Sequence, residues 1–411
     1  MMPRKYLQAF PSDDVSAAFL LACAGVFALT ASVCVTGDWD HVAIPGLVVA
    51  GFAIVMSVAG LLQARRSWFV RATSAAARLP LRKLWFAALV LHAITAICME
   101  RAVTGTDIDT YTFQREACSR FLHGIDPYGG TEENIYSPAD SARFYGPDVV
   151  KDGRVQVGLQ YPPLTLWWVL PGYLLGDVRY SYVLAVMLAA WLLFKLGDSG
   201  AWVSLALLVN PLTFYIENRC YTEPLALLML CATVYAAVKQ RTWLFLVLGL
   251  FLASKQYNFL ALPLLGFLLP KFSWNGLLKL TGKAVAVAVA TVLPFAAWNV
   301  KALAHDTVWF HLAQPFRPDA VSFAVVWPVL LKVGPILWMA LLGWMVYRAP
   351  KLPALFAGGF GVALLIFIAT GKQAFANYYF LIGYALLLAS AALPAAIKMR
   401  GCEEGFGTTQ P

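Results

Sequence analysis

Long apolar runs separated by short polar breaks dominate the chain. They fall at about 16–36, 42–63, 84–100, 181–196, 201–216, 221–238, 243–253, 259–270, 284–298, 329–347, 354–370 and 379–397. Most approach the roughly 17–25 residues that a bilayer-crossing helix needs. The runs 243–253 and 259–270 are too short, and the pattern predicts a broken pair meeting at Ser254-Lys255-Gln256-Tyr257-Asn258. Such a break is tolerated at membrane depth only where protein or a wet cavity covers it. Pro162 to Gly176 is also apolar, but Pro162, Pro163 and Pro171 disfavour a straight buried helix. A re-entrant or interfacial helix on the outer side is expected there. Within the polar segment 101–161, Ile108, Tyr111, Cys118, Leu122 and Ile125 recur at three- and four-residue steps, with Arg115 in the missing place. That period predicts an amphipathic helix lying on the membrane surface, stopped at Gly124.

The expected fold is therefore an all-α integral membrane protein. About twelve transmembrane segments would form a bundle, with amphipathic and re-entrant helices on its outer face. Composition agrees: 60% of the 411 residues are hydrophobic and 13% charged, whereas soluble domains carry about 25% charged residues. A disordered chain and an ordinary soluble enzyme are excluded. The net charge of +9 does not indicate nucleic acid, because the basic residues gather in loops between apolar runs. The loop 64–83 holds Arg65, Arg66, Arg71, Arg78, Arg82 and Lys83 without an acid, which places it and both termini in the cytoplasm. The segment 101–161 then faces outward. The first apolar stretch, Val15 to Val35, is too long for the core of a cleaved signal peptide and is read as the first span. The seven cysteines form no C-x-x-C pair. Cys118 and Cys220 fall on the outer side and are expected to be unpaired thiols.

The polar features converge on that outer side. Asp107 and Asp109 sit at the entrance of the surface helix, where capping is the plain reading. Asp107-Ile108-Asp109 is formally a D-x-D triplet, but no nucleotide-binding pattern accompanies it and no metal site is expected. Glu217 and Arg219 read most plainly as a boundary salt bridge, and Lys332 as a snorkelling side chain. Lys255 and Lys372 are harder to set aside. Each sits in a short polar break and is followed by a glutamine, Gln256 or Gln373, which suits an anion ligand. His311 and Arg317 are weaker anion ligands. Walker, H-E-x-x-H and G-x-S-x-G motifs are absent from the sequence.

The stretch TDIDTYTFQREACSRFLHGIDPYGG followed by LQYPPLTLWWVLPGYLLG resembles the front end of GT-C membrane glycosyltransferases, in particular glycosyltransferase family 87. The matching positions are Asp107, Tyr111, Gly124, Pro127, Tyr128 and Tyr161-Pro162-Pro163, with SKQYN and GKQ as supporting fragments. That family places one span before its catalytic loop, whereas this chain has three. Residues 1–83 are accordingly read as an added two-span segment, and 84–411 as the catalytic membrane domain. The resemblance implies a hexosyltransferase, with mannose the expected sugar, using a polyprenyl-phosphate-sugar donor and inverting the anomeric centre. The acceptor would be a lipid-linked or cell-envelope glycan on the extracytoplasmic face, and no cofactor is implied. By motif position Asp107 would be the base, with Asp109 as its substitute. Lys255, Gln256, Tyr257, Lys372, Gln373, Arg317, His311 and Tyr161 would hold the donor's phosphate and sugar. Tyr111, Asp126, Tyr128, Glu217 and Arg219 would lie on the acceptor side.

Other readings of the same residues stay open. Broken helices and intramembrane lysines also suit a transporter or flippase for an anionic lipid-linked substrate. Arabinofuranosyl or glucosyl transfer, and a metal-dependent transferase acting on a diphosphate carrier, complete the set.

Overall fold

The computed structural model describes residues 21–22, 24–26, 28–29, 50–51, 53–55, 57–61, 81–103 and 108–406, with side chains described up to Met399. Helices account for about three quarters of it. In chain order they are α1 (Leu81–Ala102), α2 (Asp109–Leu122), α3 (Pro138–Phe144), α4 (Pro163–Leu174), α5 (Tyr180–Phe194), α6 (Asp198–Val209), α7 (Pro211–Asn218), α8 (Glu223–Val238) and α9 (Leu244–Ser254). A 3-10 helix (Gln256–Leu268) and α10 (Trp274–Ala304) follow, then a π-turn (His305–Trp309) and α11 (Phe310–Ala313). The chain ends in α12 (Leu330–Arg348), α13 (Pro353–Ala369) and α14 (Ala376–Phe406). Three two-residue strands, β1 (Glu132–Glu133), β2 (Val150–Lys151) and β3 (Arg154–Val155), make a small antiparallel sheet in the order β1-β3-β2.

Four of the described helical runs are long and apolar enough to cross a bilayer: α1, Trp274–Ala313, α12 and the Ala376–Met399 part of α14. The bent pair α6 and α7 is long and apolar enough only when its two helices are taken together, while α5, α8, α9, the 3-10 helix and α13 are shorter apolar helices. The chain is a multi-pass integral membrane protein. From residue 81 onward these helices coincide with the apolar runs of the sequence, but several are interrupted, and the interruptions have local causes. Pro211 has no N–H, and Asn210 caps the restart by accepting from the Leu212 N–H, so α6 and α7 meet at 57°. After α9, Lys255 is extended, and the Asn258 amide donates to the Phe251 carbonyl (2.6 Å) and to Ser254 Oγ (3.0 Å). Those bonds satisfy groups that a helix end at membrane depth would otherwise leave bare.

Burial sorts the helices into a core and a rim. Nearly every residue of α8 and α13 is buried, whereas α10 and α12 each bury three. In α1 the buried residues Trp85, His92, Ala96 and Glu100 form one stripe of seven- and four-residue steps, leaving the rest to lipid. Described residues before α1 lie against the C-terminal helices. At Gly25 a Cβ would come within 2.8 Å of the Gly383 carbonyl and of Leu387, so this crossing requires glycine.

In the segment after α1, α2 takes in Tyr111, Arg115, Cys118 and Leu122 of the positions that the three- and four-residue period marked, Ile108 and Ile125 lie just outside it, and Gly124 follows its end with φ +72°. The loop is fastened to the membrane domain by Asp306 of the π-turn, whose Oδ2 accepts from the N–H groups of Gly129 (2.7 Å) and Gly158 (2.9 Å). The Tyr128 hydroxyl donates to the Tyr161 carbonyl (2.9 Å), tying the loop to the start of α4. Cys98, Cys118, Cys220 and Cys231 are free thiols, with Cys118 and Cys220 buried.

Candidate active site

A cavity of about 540 Å³ lies between elements of the segment joining α1 to α4 and the polar breaks of the later helices. Its acid end is built on α2. Ile108 enters the helix in an extended conformation without a side-chain cap, and Asp109 is the first helical residue. The Tyr145 hydroxyl donates to Asp109 Oδ2 (2.8 Å), and the Asp109 N–H donates to the Tyr136 hydroxyl oxygen (3.2 Å). Both tyrosines pack with Phe144, Val155 and Phe310 in a small cluster that fixes their rings. Burial raises the Asp109 pKa to about 6, opposed by the Tyr145 hydrogen bond and by the positive charge of Arg317. Asp107 lies outside the described residues.

The cationic part of the lining is built on the polar breaks of the helices. Lys255 is buried, with Nζ 3.0 Å from Glu223 Oε1 and bonded also to the Thr222 hydroxyl. It lies over the rings of Tyr161 (4.9 Å) and Tyr257 (5.7 Å), each presenting a negative face to the ammonium. Gln256 donates to the carbonyls of Gln160 (2.7 Å) and Thr307 (3.2 Å), joining the break to α4's approach and to the π-turn.

Two loops complete the wall by pairing their backbones. The Arg317 N–H donates to the Lys372 carbonyl (3.1 Å) and the Val321 N–H to the Ala374 carbonyl (2.8 Å). Arg317 makes a bidentate pair with Asp319 (2.8 and 2.7 Å) and lies over the rings of Phe144 (4.0 Å) and Phe375 (4.7 Å). Lys372 is held differently. Its ammonium donates to two backbone carbonyls, Leu312 (2.8 Å) and Gln314 (2.6 Å), so it meets dipoles rather than a carboxylate, and burial lowers its pKa. The His311 Nε2–H donates to the Gln160 carbonyl (2.9 Å), and Gln373 donates to Gln314 Oε1 (3.0 Å).

Thus Asp109, Tyr161, Lys255, Gln256, Tyr257, His311, Arg317, Lys372 and Gln373 all line one cavity. The residues expected on the acceptor side do not line it. Tyr111 sits beneath the Arg115 and Arg179 guanidinium groups, Asp126 accepts from the Tyr128 N–H, and Tyr128 is buried. The expected Glu217–Arg219 salt bridge is corrected: Glu217 is buried against His92 Nε2 (2.9 Å), and Arg219 lies over the Tyr215 ring (5.1 Å). The turn at the end of α7 sends the two side chains to different neighbours.

Sequence reasoning missed Tyr136, Tyr145, Gln160, Tyr221 and Tyr378 in the wall, while Asn377 in the wall and Glu223 behind it stood out in the sequence only as polar residues without a role. Glu223 and Asn377 carry a signal, being polar groups at the starts of apolar helices. The tyrosines carry none, since an interfacial aromatic belt has the same appearance. Among the described residues no three His, Cys, Asp or Glu side chains are grouped closely enough to share a metal ion.

No family model and no curated relative matches the chain. Among solved structures it is similar to ArnT from Cupriavidus metallidurans bound to undecaprenyl phosphate, at 18% identity and a TM-score of 0.50. The fold is of the GT-C type. That match covers 80% of this chain and 64% of ArnT, so the chain spans less than two thirds of ArnT's length. The apo state of ArnT matches at 17% identity and a TM-score of 0.46, covering 75% and 60% of the two chains.

Proposed function

We propose that the chain is a glycosyltransferase of family 87 type. It would move a neutral hexose, mannose in the first instance, from a polyprenyl-phosphate-sugar donor to a lipid-linked or cell-envelope glycan on the extracytoplasmic face. The observation that carries this reading is a single cavity holding a carboxylate of pKa about 6 together with Lys255, Arg317 and Lys372. The undecaprenyl phosphate bound by ArnT supports a polyprenyl carrier. The cavity's lipid-side lining supports it too, since Phe259, Val308 and Leu312 are exposed apolar residues at its edge.

The chemistry assigns a role to each end. An acceptor hydroxyl oxygen attacks the anomeric carbon from the face opposite the phosphate, and the carbon–oxygen bond to phosphate breaks with its electron pair leaving on the phosphate. Asp109 takes the acceptor's proton as the new bond forms, a role worth about 10²–10⁴ in rate. Its pKa suits a general base, which is ionised at neutral pH and loses function as pH falls through about 6. Lys372 and Lys255 stabilise the departing phosphate, with Arg317 positioned beside them by Asp319. Tyrosine rings and the amides of Gln256 and Gln373 supply stacking and hydrogen bonds to a sugar that carries no charge. The acceptor is proposed to approach past Tyr136 and Tyr145, which line the acid end.

The experiment is sugar transfer by purified protein in detergent. A membrane lipid extract serves as acceptor, and labelled polyprenyl-phosphate mannose, glucose and arabinose serve as parallel donors, with and without EDTA. Transfer from the mannose donor that persists in EDTA is the expected result. Transfer from another sugar alone would correct the donor, and loss in EDTA would favour a metal-assisted route.

A further inference from the structure

Glu223, the first residue of α8, has no assigned role, yet it organises the cationic end of the cavity. It is fully buried, and its Oε1 gathers three donors: Lys255 Nζ (3.0 Å), the Tyr257 hydroxyl (3.0 Å) and the Asn377 amide (2.9 Å). These donors come from the polar break after α9 and from the first turn of α14, and all three line the cavity. The carboxylate itself lies outside the lining, and Oε2 has no hydrogen-bond partner among the described residues. Among those residues Lys255 is the cation bonded to it. A buried ammonium held by a carboxylate binds an incoming anion less tightly than a bare one, because the anion must share the lysine and approach a like charge. Lys372, bonded only to backbone carbonyls in the described contacts, has no such restraint.

We propose that Glu223 is a positioning residue that sets the strength of the anion site. It holds Lys255 partly neutralised, so that the phosphate end of the donor binds and the more highly charged phosphate left after transfer is released. This rests on the proposed contact between Lys255 and the phosphate. A purely structural role makes a different prediction, since loosening the junction of α8, the break and α14 would weaken binding.

The test uses the full-length protein in detergent and farnesyl phosphate, a short prenyl phosphate monoester, as the probe. Glu223→Gln keeps an oxygen for Tyr257 and Asn377 while removing the charge. It should bind farnesyl phosphate about tenfold or more tightly than wild type, the scale of one charge-assisted hydrogen bond. In the transfer assay its kcat and donor KM should fall together. Glu223→Asp, which restores the charge, should return affinity towards wild type. Tyr257→Phe removes one competitor for Oε1 while keeping the ring, so Glu223 holds Lys255 harder. Binding should then weaken about two- to threefold, opposite in sign to Glu223→Gln. Should Glu223→Gln fail to fold, Tyr257→Phe keeps the proposal falsifiable, because tighter binding in that variant contradicts it. Unchanged or weaker binding in a folded Glu223→Gln, or tighter binding in Tyr257→Phe, would overturn the proposal. If Lys255→Met leaves farnesyl phosphate binding unchanged, Lys255 does not meet the phosphate and both proposals fall. If Lys255→Met weakens binding while Glu223→Gln does not tighten it, only the role of Glu223 falls.

Discussion

The two ends of the cavity are built in different ways. The acid end stands on short elements of the segment joining α1 to α4: Asp109 begins α2, and Tyr145 follows the seven-residue α3. Its one ionisable base is held by neutral hydroxyls. The cationic end stands on interruptions of membrane helices, at Lys255 between α9 and the 3-10 helix and at Lys372 between α13 and α14. There the charges are held by carboxylates or backbone carbonyls. The contrast follows from solvation. A base that must gain and lose a proton needs a route to water, which a surface loop provides. Cations kept near membrane depth need fixed partners, which helix breaks provide from their unpaired backbone groups.

That contrast can be broken from either side. The largest effect is expected for Asp109→Asn, which should lower kcat by about 10²–10⁴ while leaving farnesyl phosphate affinity near that of wild type. Steady-state transfer and equilibrium binding on the same preparation would show the split. Next, Lys372→Met should raise donor KM about 10- to 100-fold with a smaller change in the acid limb of the pH profile. A large fall in kcat without a change in KM would contradict its role in holding the phosphate. Tyr145→Phe should cost only about two- to tenfold in kcat/KM, but it should also move the pH profile. The Tyr145 hydrogen bond stabilises the Asp109 carboxylate, so removing it raises the Asp109 pKa. The acid limb, expected near pH 6 in wild type, should shift to higher pH. Arg143, 3.5 Å from Asp319 and partly exposed, should matter least, with Arg143→Ala changing donor KM by about threefold at most.

Much of the cationic end was legible in the sequence, because a lysine or arginine surrounded by apolar residues is costly and stands out. Lys255, Lys372 and Arg317 come from segments far apart in the chain, yet they line one cavity. The helical runs were legible for a related reason, as apolar stretches of about 17 or more residues are rare by chance. Their packing was not. The run 284–298 of α10 and the whole of α13 are both apolar, but the first is mostly exposed and the second buried, and an apolar run alone does not separate those surroundings. The acid end was harder. Tyr136 and Tyr145 reach Asp109 only through the fold of the outer loop, and no spacing announces it. Glu217 illustrates the opposite error. Its partner His92 lies 125 residues earlier, so the neighbouring Arg219 was the only partner that the sequence offered. The motif positions Tyr111 and Tyr128 fall in the packing that supports the loop rather than in the cavity wall.

One cavity that separates proton removal from phosphate holding can be tested most directly by following both in a single variant. Asp109→Asn protein in detergent would be titrated with farnesyl phosphate and then assayed for transfer from labelled polyprenyl-phosphate mannose, beside wild type and Asp107→Asn. The expected result is wild-type affinity, transfer lost in Asp109→Asn, and transfer retained in Asp107→Asn. Full transfer by Asp109→Asn would contradict that separation and move the base to Asp107.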